Sequence, residues 1–197
     1  LRAYEDWKGG AVVPTESDLL FFMLDLDYFK KINDNYGHAA GDQVLMQLKS
    51  IFEKVFRLSD YFVRWGGEEF LIVARFSNCQ QASMLAERLR LAISEHHFDV
   101  GNGVILRETC SIGFACYPFK PASPALLSWT KVVEIADYCL YMAKKSQRNA
   151  WVGMLTNERT KSEMLLERIR EDANKLVKKG ELQLVTSIED RETIVWK

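Results

Sequence analysis

Residues 66–70 read Gly66-Gly67-Glu68-Glu69-Phe70, set between strand-like apolar runs at residues 61–64 and 70–74. Two glycines between strands read as a tight hairpin whose backbone a ligand can approach closely, because neither carries a Cβ. Two carboxylates follow at the tip of that turn. Paired acids beside bare backbone can cradle a metal-bound phosphate, and the same string also describes an ordinary solvated turn.

Upstream of the hairpin, residues 19–24 form a dense apolar run suited to a strand buried on both faces, ending at Asp25. That places a carboxylate at the C-terminal end of a strand, where α/β sites commonly form. Phe29, Ile32 and Tyr36 follow at helical spacing, and Gly37 closes the short helix. Asp42 is expected to begin a second helix, whose apolar stripe runs Leu45, Leu48, Phe52 and Val55. Downstream, residues 79–95 read as a helix with Leu85, Leu89 and Ile93 on one side. Residues 109–117 alternate like a strand, Pro118, Pro121 and Pro124 punctuate a loop, and residues 129–147 are helical again. Strand, two helices, hairpin, helix, strand, helix is the order of an α+β sandwich on a largely antiparallel sheet.

The last segment, residues 155–197, reads as a C-terminal extension of one helix and a hairpin. Met164, Leu165, Ile169 and Leu176 make its helical stripe, and residues 181–187 and 193–196 look like two strands around a polar turn. The expected division is therefore 1–154 and 155–197, with the extension packed on the main domain or binding a partner.

Composition excludes several classes. A formal net charge of −1 over 197 residues supplies no basic field for nucleic acid or an anionic membrane. The longest useful apolar run is far too short to span a bilayer, and no signal-peptide pattern opens the chain. Cys79, Cys110, Cys116 and Cys139 include no Cys-x-x-Cys pair, and the three histidines form no metal-ligand cluster. All four cysteines are expected to be free, buried thiols in a reducing compartment, with Cys110 and Cys116 on one side of a strand.

Four ordered stretches together resemble one family. They are Asp25-Leu26-Asp27-Tyr28-Phe29-Lys30-Lys31-Ile32-Asn33-Asp34-Asn35-Tyr36-Gly37-His38-Ala39-Ala40-Gly41-Asp42, the glycine hairpin, Ser111-Ile112-Gly113, and residues 136–149 with Ala143-Lys144 and Arg148-Asn149 at the end. Over roughly residues 19–152 the chain resembles the GGDEF-domain family of diguanylate cyclases, in its GGEEF form. The resemblance implies a fold related to nucleotidyl cyclases and the palm of polymerases. It also implies condensation of two GTP to cyclic di-GMP with loss of two pyrophosphates. Residues 1–154 would be the catalytic domain.

By the same resemblance, Asp25, the Leu26 carbonyl and Glu68 hold Mg²⁺ or Mn²⁺, hard cations that take oxygen ligands. Glu68 or Glu69 assists removal of the 3′-hydroxyl proton, and Lys30 stabilises phosphate charge. Glu68 stands where the family more often has Asp, and the longer form also occurs in active members. Phe29, Asn33, His38 and Asp42 would belong to the substrate loop, with Asn33 and Asp42 reading guanine. An acid suits guanine, whose N1–H and N2–H₂ are donors, and rejects adenine, which has an acceptor at N1. Lys144 and Arg148, spaced one helical turn apart and so expected on one face, would take the triphosphate. Arg57-Leu58-Ser59-Asp60 lies five residues before the hairpin, where the family has its inhibitory product site, with Arg88 as a third member. Alternative structural roles stay open: a helix cap for Asp25 or Asp42, a solvated face for Lys144 and Arg148, a surface ion pair for Arg57 and Asp60.

The family's Asp-x-Leu-Thr-x-Leu-x-Asn-Arg stretch has no counterpart in residues 1–7, Leu1-Arg2-Ala3-Tyr4-Glu5-Asp6-Trp7. The expectation is a fragment of a longer protein with an upstream sensor, often membrane-bound, controlling a homodimer in which each subunit holds one GTP. The domain itself would be cytoplasmic. A binding module sensing GTP or cyclic di-GMP is the rival class, and alanine at Glu69 separates the two.

Overall fold

The computed structural model describes residues 17–197. The opening stretch in which the family's N-terminal motif was sought lies outside the described residues. The central element is β1 (Asp18–Leu26), whose side chains divide by parity between two cores. Leu20, Phe22, Leu24 and Leu26 enter one buried cluster, and Phe21 and Met23 enter the other. A strand covered on both faces needs apolar side chains at almost every position, which is why its sequence runs apolar rather than alternating.

Next come α1 (Phe29–Tyr36), α2 (His38–Val55), the hairpin β2 (Tyr61–Gly66) and β3 (Glu69–Ser77), and α3 (Ala82–Ser94). Beyond α3 lie a two-residue ribbon of β4 (Phe98–Asp99) and β5 (Ile105–Leu106), then β6 (Cys110–Tyr117) and α4 (Trp129–Ser146). The chain continues through β7 (Trp151–Thr156), α5 (Leu165–Lys178) and β8 (Leu182–Thr186). The main sheet runs β2-β3-β1-β6-β7-β8 and is antiparallel except for the β6–β7 pair. Residues of α1, α2 and α3 cover one face, and residues of α4 and α5 cover the other. The expected α+β sandwich on a mostly antiparallel sheet is what forms.

Helix α4 lies unusually close to β6. A Cβ on Gly113 would sit 2.0 Å from the Leu140 amide nitrogen and 2.1 Å from the Ala136 carbonyl oxygen. Only a residue without a side chain permits that approach, and it seats the end of α4 beside the end of β1.

Several expectations change. Helix α2 starts at His38, so Asp42 lies inside it rather than beginning it. Strand β7 was not anticipated; it spans residue 154, and β8 pairs with it in the same sheet. Met164 precedes α5 in a left-handed conformation and is exposed, while Leu165, Leu166, Ile169, Ala173 and Leu176 make the buried stripe. Residues 193–196 form no strand. The Asp190 side chain caps a 3₁₀ turn at Arg191–Thr193, and Ile194 drops into the core instead of extending a ladder.

The cysteine expectation fails in part. Cys79 and Cys116 form a disulfide with a Cα–Cα distance of 5.7 Å. Cys79 follows the end of β3 and Cys116 lies near the end of β6, so the sheet brings together residues 37 apart in sequence. Cys110 and Cys139 are free and buried as expected. Cys110 and Cys116 do share a sheet face.

Candidate active site

The site is built where β1 and α4 end and where β3 and α1 begin. Asp25 is opposite Glu69 across the β1–β3 pair and opposite Ser111 across β1–β6. Like charges directly across a ladder repel, so this pairing costs stability that sheet packing must offset. The Leu26 amide reaches the Glu68 carbonyl at 3.4 Å, tying the hairpin to the strand end. Asp25 is only 4% exposed. Its carboxylate accepts a 2.8 Å bond from Lys144 Nζ near the last turn of α4. Burial raises the Asp25 pKa above the ordinary carboxylate value; Lys144 pulls it back, and Glu68 and Glu69 push it further up.

Asp27 has a different environment. Its carboxylate accepts from Thr109 Oγ1 at 2.7 Å, Ser111 Oγ at 2.7 Å and the Asn149 amide at 2.8 Å. Its lone pairs are engaged by protein donors.

The motif glycines are not demanded by the fold. A Cβ on Gly67 would meet nothing within 4 Å, and one on Gly66 would meet only Glu69 Oε2, at 3.5 Å. Neither has a positive φ, in contrast with Gly37 at φ +83°. The open space above them is therefore available to something other than this chain. Arg64, one residue upstream of Trp65 on β2, donates from Nε to the Gly67 carbonyl at 2.9 Å and braces the turn.

Asn33 lies over Gly41, its Oδ1 only 2.2 Å from where a Cβ would stand, so the two helices α1 and α2 meet through the missing side chain. Beside them, Asp42, Met46, Arg64 and Phe70 line a cavity of about 510 Å³. Phe29 buries its ring in the core, while Lys30 and His38 stand exposed on the first turns of α1 and α2. The sequence did not single out Arg64, although an arginine two residues before a glycine pair on a predicted strand was a usable signal.

Lys144 and Arg148 are not on one helix face. Helix α4 ends at Ser146, and Arg148 and Asn149 follow with φ of 59° and 42°. This left-handed turn lays the Arg148 guanidinium over the Tyr28 ring at 4.5 Å, with Nη1 3.4 Å from the Tyr28 hydroxyl. Both cations nonetheless contact the Asp25–Tyr28 end of β1 and α1.

At the Arg57–Asp60 turn, Asp60 is buried and accepts from the Arg57 and Arg75 amides, each at 2.9 Å. The Arg57 guanidinium reaches the Phe76 carbonyl at 3.4 Å rather than Asp60, and Arg88 stands exposed on α3.

Among the described residues the site is thus a set of buried and half-buried carboxylates converging at the end of the central strand of a mostly antiparallel, helix-flanked sheet. Residues 11–150 match the family described as "Diguanylate cyclase, GGDEF domain", and the chain belongs to this GGDEF family. It is 39% identical over 131 residues to Diguanylate cyclase A of Treponema denticola, covering 66% of this chain and 34% of that protein. It is 34% identical over 135 residues to Diguanylate cyclase DosC of Escherichia coli K12, covering 68% of this chain and 28% of that protein. The chain thus spans about a third of the length of these relatives. Among solved structures, the GGDEF domain of DgcB from Caulobacter crescentus in complex with c-di-GMP superposes with a TM-score of 0.60 at 31% identity, covering 68% of this chain and 73% of that one. The active GGEEF domain of a diguanylate cyclase from Vibrio cholerae gives 0.57 at 30%, covering 68% and 80%.

Proposed function

We propose that this chain is the catalytic domain of a diguanylate cyclase, joining two GTP into cyclic di-GMP and releasing two pyrophosphates. The observation that carries the reading is Asp25, a buried carboxylate set against Glu68 and Glu69 with a single ammonium, Lys144, against it. Such a cluster holds more negative charge than its own cations neutralise. The carboxylates of Asp25 and Glu68 and the Leu26 carbonyl are oxygen donors, the type a hard divalent cation takes, although among the described residues no three His, Cys, Asp or Glu side chains converge as a metal site. Asp25, Glu68 and the Leu26 carbonyl would hold Mg²⁺ or Mn²⁺. When bound, the ion neutralises charge on the triphosphate.

The chain's own residues do the rest. Asp42 accepts the N1–H and N2–H₂ of guanine, and Asn33 on the facing helix complements it. Lys144 and Arg148 take phosphate oxygens, and Lys30 with the amides at the start of α1, including that of Phe29, completes the cradle. His38 stands at the mouth of the same loop. Glu69, at the first position of β3, accepts the 3′-hydroxyl proton, with Glu68 beside it. The hydroxyl oxygen then bonds to the α-phosphorus of the second nucleotide and pyrophosphate leaves.

Two such domains face each other as a homodimer, each presenting one GTP. Arg57, Asp60 and Arg88 form the product-inhibition site, and an upstream sensor sets the dimer. Among the described residues no helix is long and apolar enough to cross a membrane. Concentrated protein with GTP and Mg²⁺ should yield cyclic di-GMP by mass, ATP should give no cyclic dinucleotide, and Glu69→Ala should abolish product while retaining GTP. Product formation by Glu69→Ala at the parent rate would overturn the assignment.

A further inference from the structure

We infer that Asp27 is a positioning residue that holds the Arg148 guanidinium in the phosphate-binding site, and that Arg90 supports the same turn from the opposite side. The inference rests on the cyclase reading above. It starts from a local cost. Arg148 and Asn149 are consecutive non-glycine residues in the left-handed region, which L-residues adopt singly and at a cost in free energy. Such a turn persists only where its surroundings determine it.

Asp27 supplies that determination from below. Its Oδ2 accepts the Asn149 amide at 2.8 Å, and the same carboxylate is anchored by Thr109 and Ser111 hydroxyls. The Asp27 amide donates to the Thr109 carbonyl at 2.9 Å, so the group is fixed to β1 and to the approach to β6 together. It is 2% exposed, where a charge-assisted bond is stronger than in water. Above the turn, Arg90 on α3 donates to Asn149 Oδ1 at 2.9 Å and is itself held by Glu87 through bonds of 2.6 and 2.9 Å. Glu87 also accepts from Trp151 Nε1 at 2.8 Å. Asn149 is gripped by backbone and by side chain, and the residue before it is thereby aimed at Tyr28 and the strand end.

A double-mutant cycle tests this. Asp27→Ala and Arg148→Ala each raise the KM for GTP about tenfold, the size expected for loss of one charge-assisted contact. If Asp27 acts through Arg148, the double variant is no worse than either single one, and kcat changes less than KM. Asp27→Asn keeps an acceptor for the Asn149 amide, because the Ser111 hydroxyl can turn to accept from the new amide. It stays within about threefold of the parent. Multiplication of the two effects overturns the inference. So does an Asp27→Asn as damaging as Asp27→Ala together with a shift in the Mg²⁺ concentration for half-activation, which marks a metal ligand. Should Asp27→Ala not fold, Arg90→Met carries the same cycle without touching β1. Repeating the cycle as GTP affinity by equilibrium dialysis, in a Glu69→Ala background, separates the two readings. Binding without cyclic product from the parent defeats the cyclase reading while the cycle still decides the clamp, and no GTP binding defeats both.

Discussion

Asp25, on β1, and Asp27, in the turn just past its end, lie two residues apart and are both buried, yet their surroundings differ in kind. Asp27 is saturated: two hydroxyls and an amide engage it, and each bond joins it to another segment of the sheet end. Asp25 is under-partnered: one ammonium on one oxygen, two further acids nearby, and a pKa raised by burial. Saturated carboxylates frame a fold, whereas under-partnered ones keep charge in reserve for a ligand. The Asp60 turn belongs with Asp27, since two backbone amides use both of its oxygens.

The contrast breaks first at Asp25. Asp25→Asn is expected to lower cyclic di-GMP production by about a thousandfold or more, read by chromatography of the products. Its thermal midpoint at pH 7 should equal or exceed that of the parent. The folded pKa of Asp25 lies above the ordinary value, so the native state binds more protons than the unfolded chain over the window above pH 3.8, and stability falls as pH rises through it. A neutral residue escapes that loss, and a lower midpoint would place Asp25 with the frame.

The glycines offer the same contrast. Gly113→Ala drives a Cβ into the backbone of α4 and should cost about 3 kcal/mol in urea unfolding. Gly67→Ala meets open space and should leave stability within about 0.5 kcal/mol of the parent while lowering turnover. Equal stability losses at both positions would mean that the hairpin glycines serve the fold after all.

Asp60→Ala leaves two amides without their acceptor and should cost about 2 kcal/mol, measured by the urea midpoint at constant m-value. If the proposed product-inhibition site operates, its relief in that variant arrives with a weakened turn, and Arg88→Ala, on an exposed helix position, is the cleaner probe.

A pH-dependent effect concerns Glu108, whose pKa burial and the nearby Asp27 carboxylate push to about 7. The native state then holds a proton that the unfolded chain has lost between pH 4.5 and about 7, so stability declines across that interval. Glu108→Gln should flatten the decline, melting higher than the parent above pH 7 and together with it near pH 4. Parallel curves would remove Glu108 from the titration.

Much of the fold and site was legible locally. The unbroken apolar run of β1 announced a strand covered on both faces, and helical spacing placed α1, α3 and α4 to within a few residues. Strand β7 was missed because Trp151–Thr156 is too short to show a period of its own. Asp42 looked like a helix start because acids favour caps, but Gly37 already ends α1 and α2 begins at once. The Lys144–Arg148 pair was read by helical arithmetic that stops applying at Ser146, where the helix ends.

The sequence by itself determined which chemistry is present, because residue type sets charge and hydrogen-bonding capacity: the acids of the hairpin, Asp25 and Asp27 at the end of β1, and Asp42. Tertiary structure alone decided which of those acids are spent on the fold, because that depends on donors brought from more than 80 residues away to Asp27 and from 119 residues away to Asp25. It alone paired Cys79 with Cys116, since two strand ends meet only when the sheet is assembled. Contacts of that range obey no local period, and so no reading along the chain contains them.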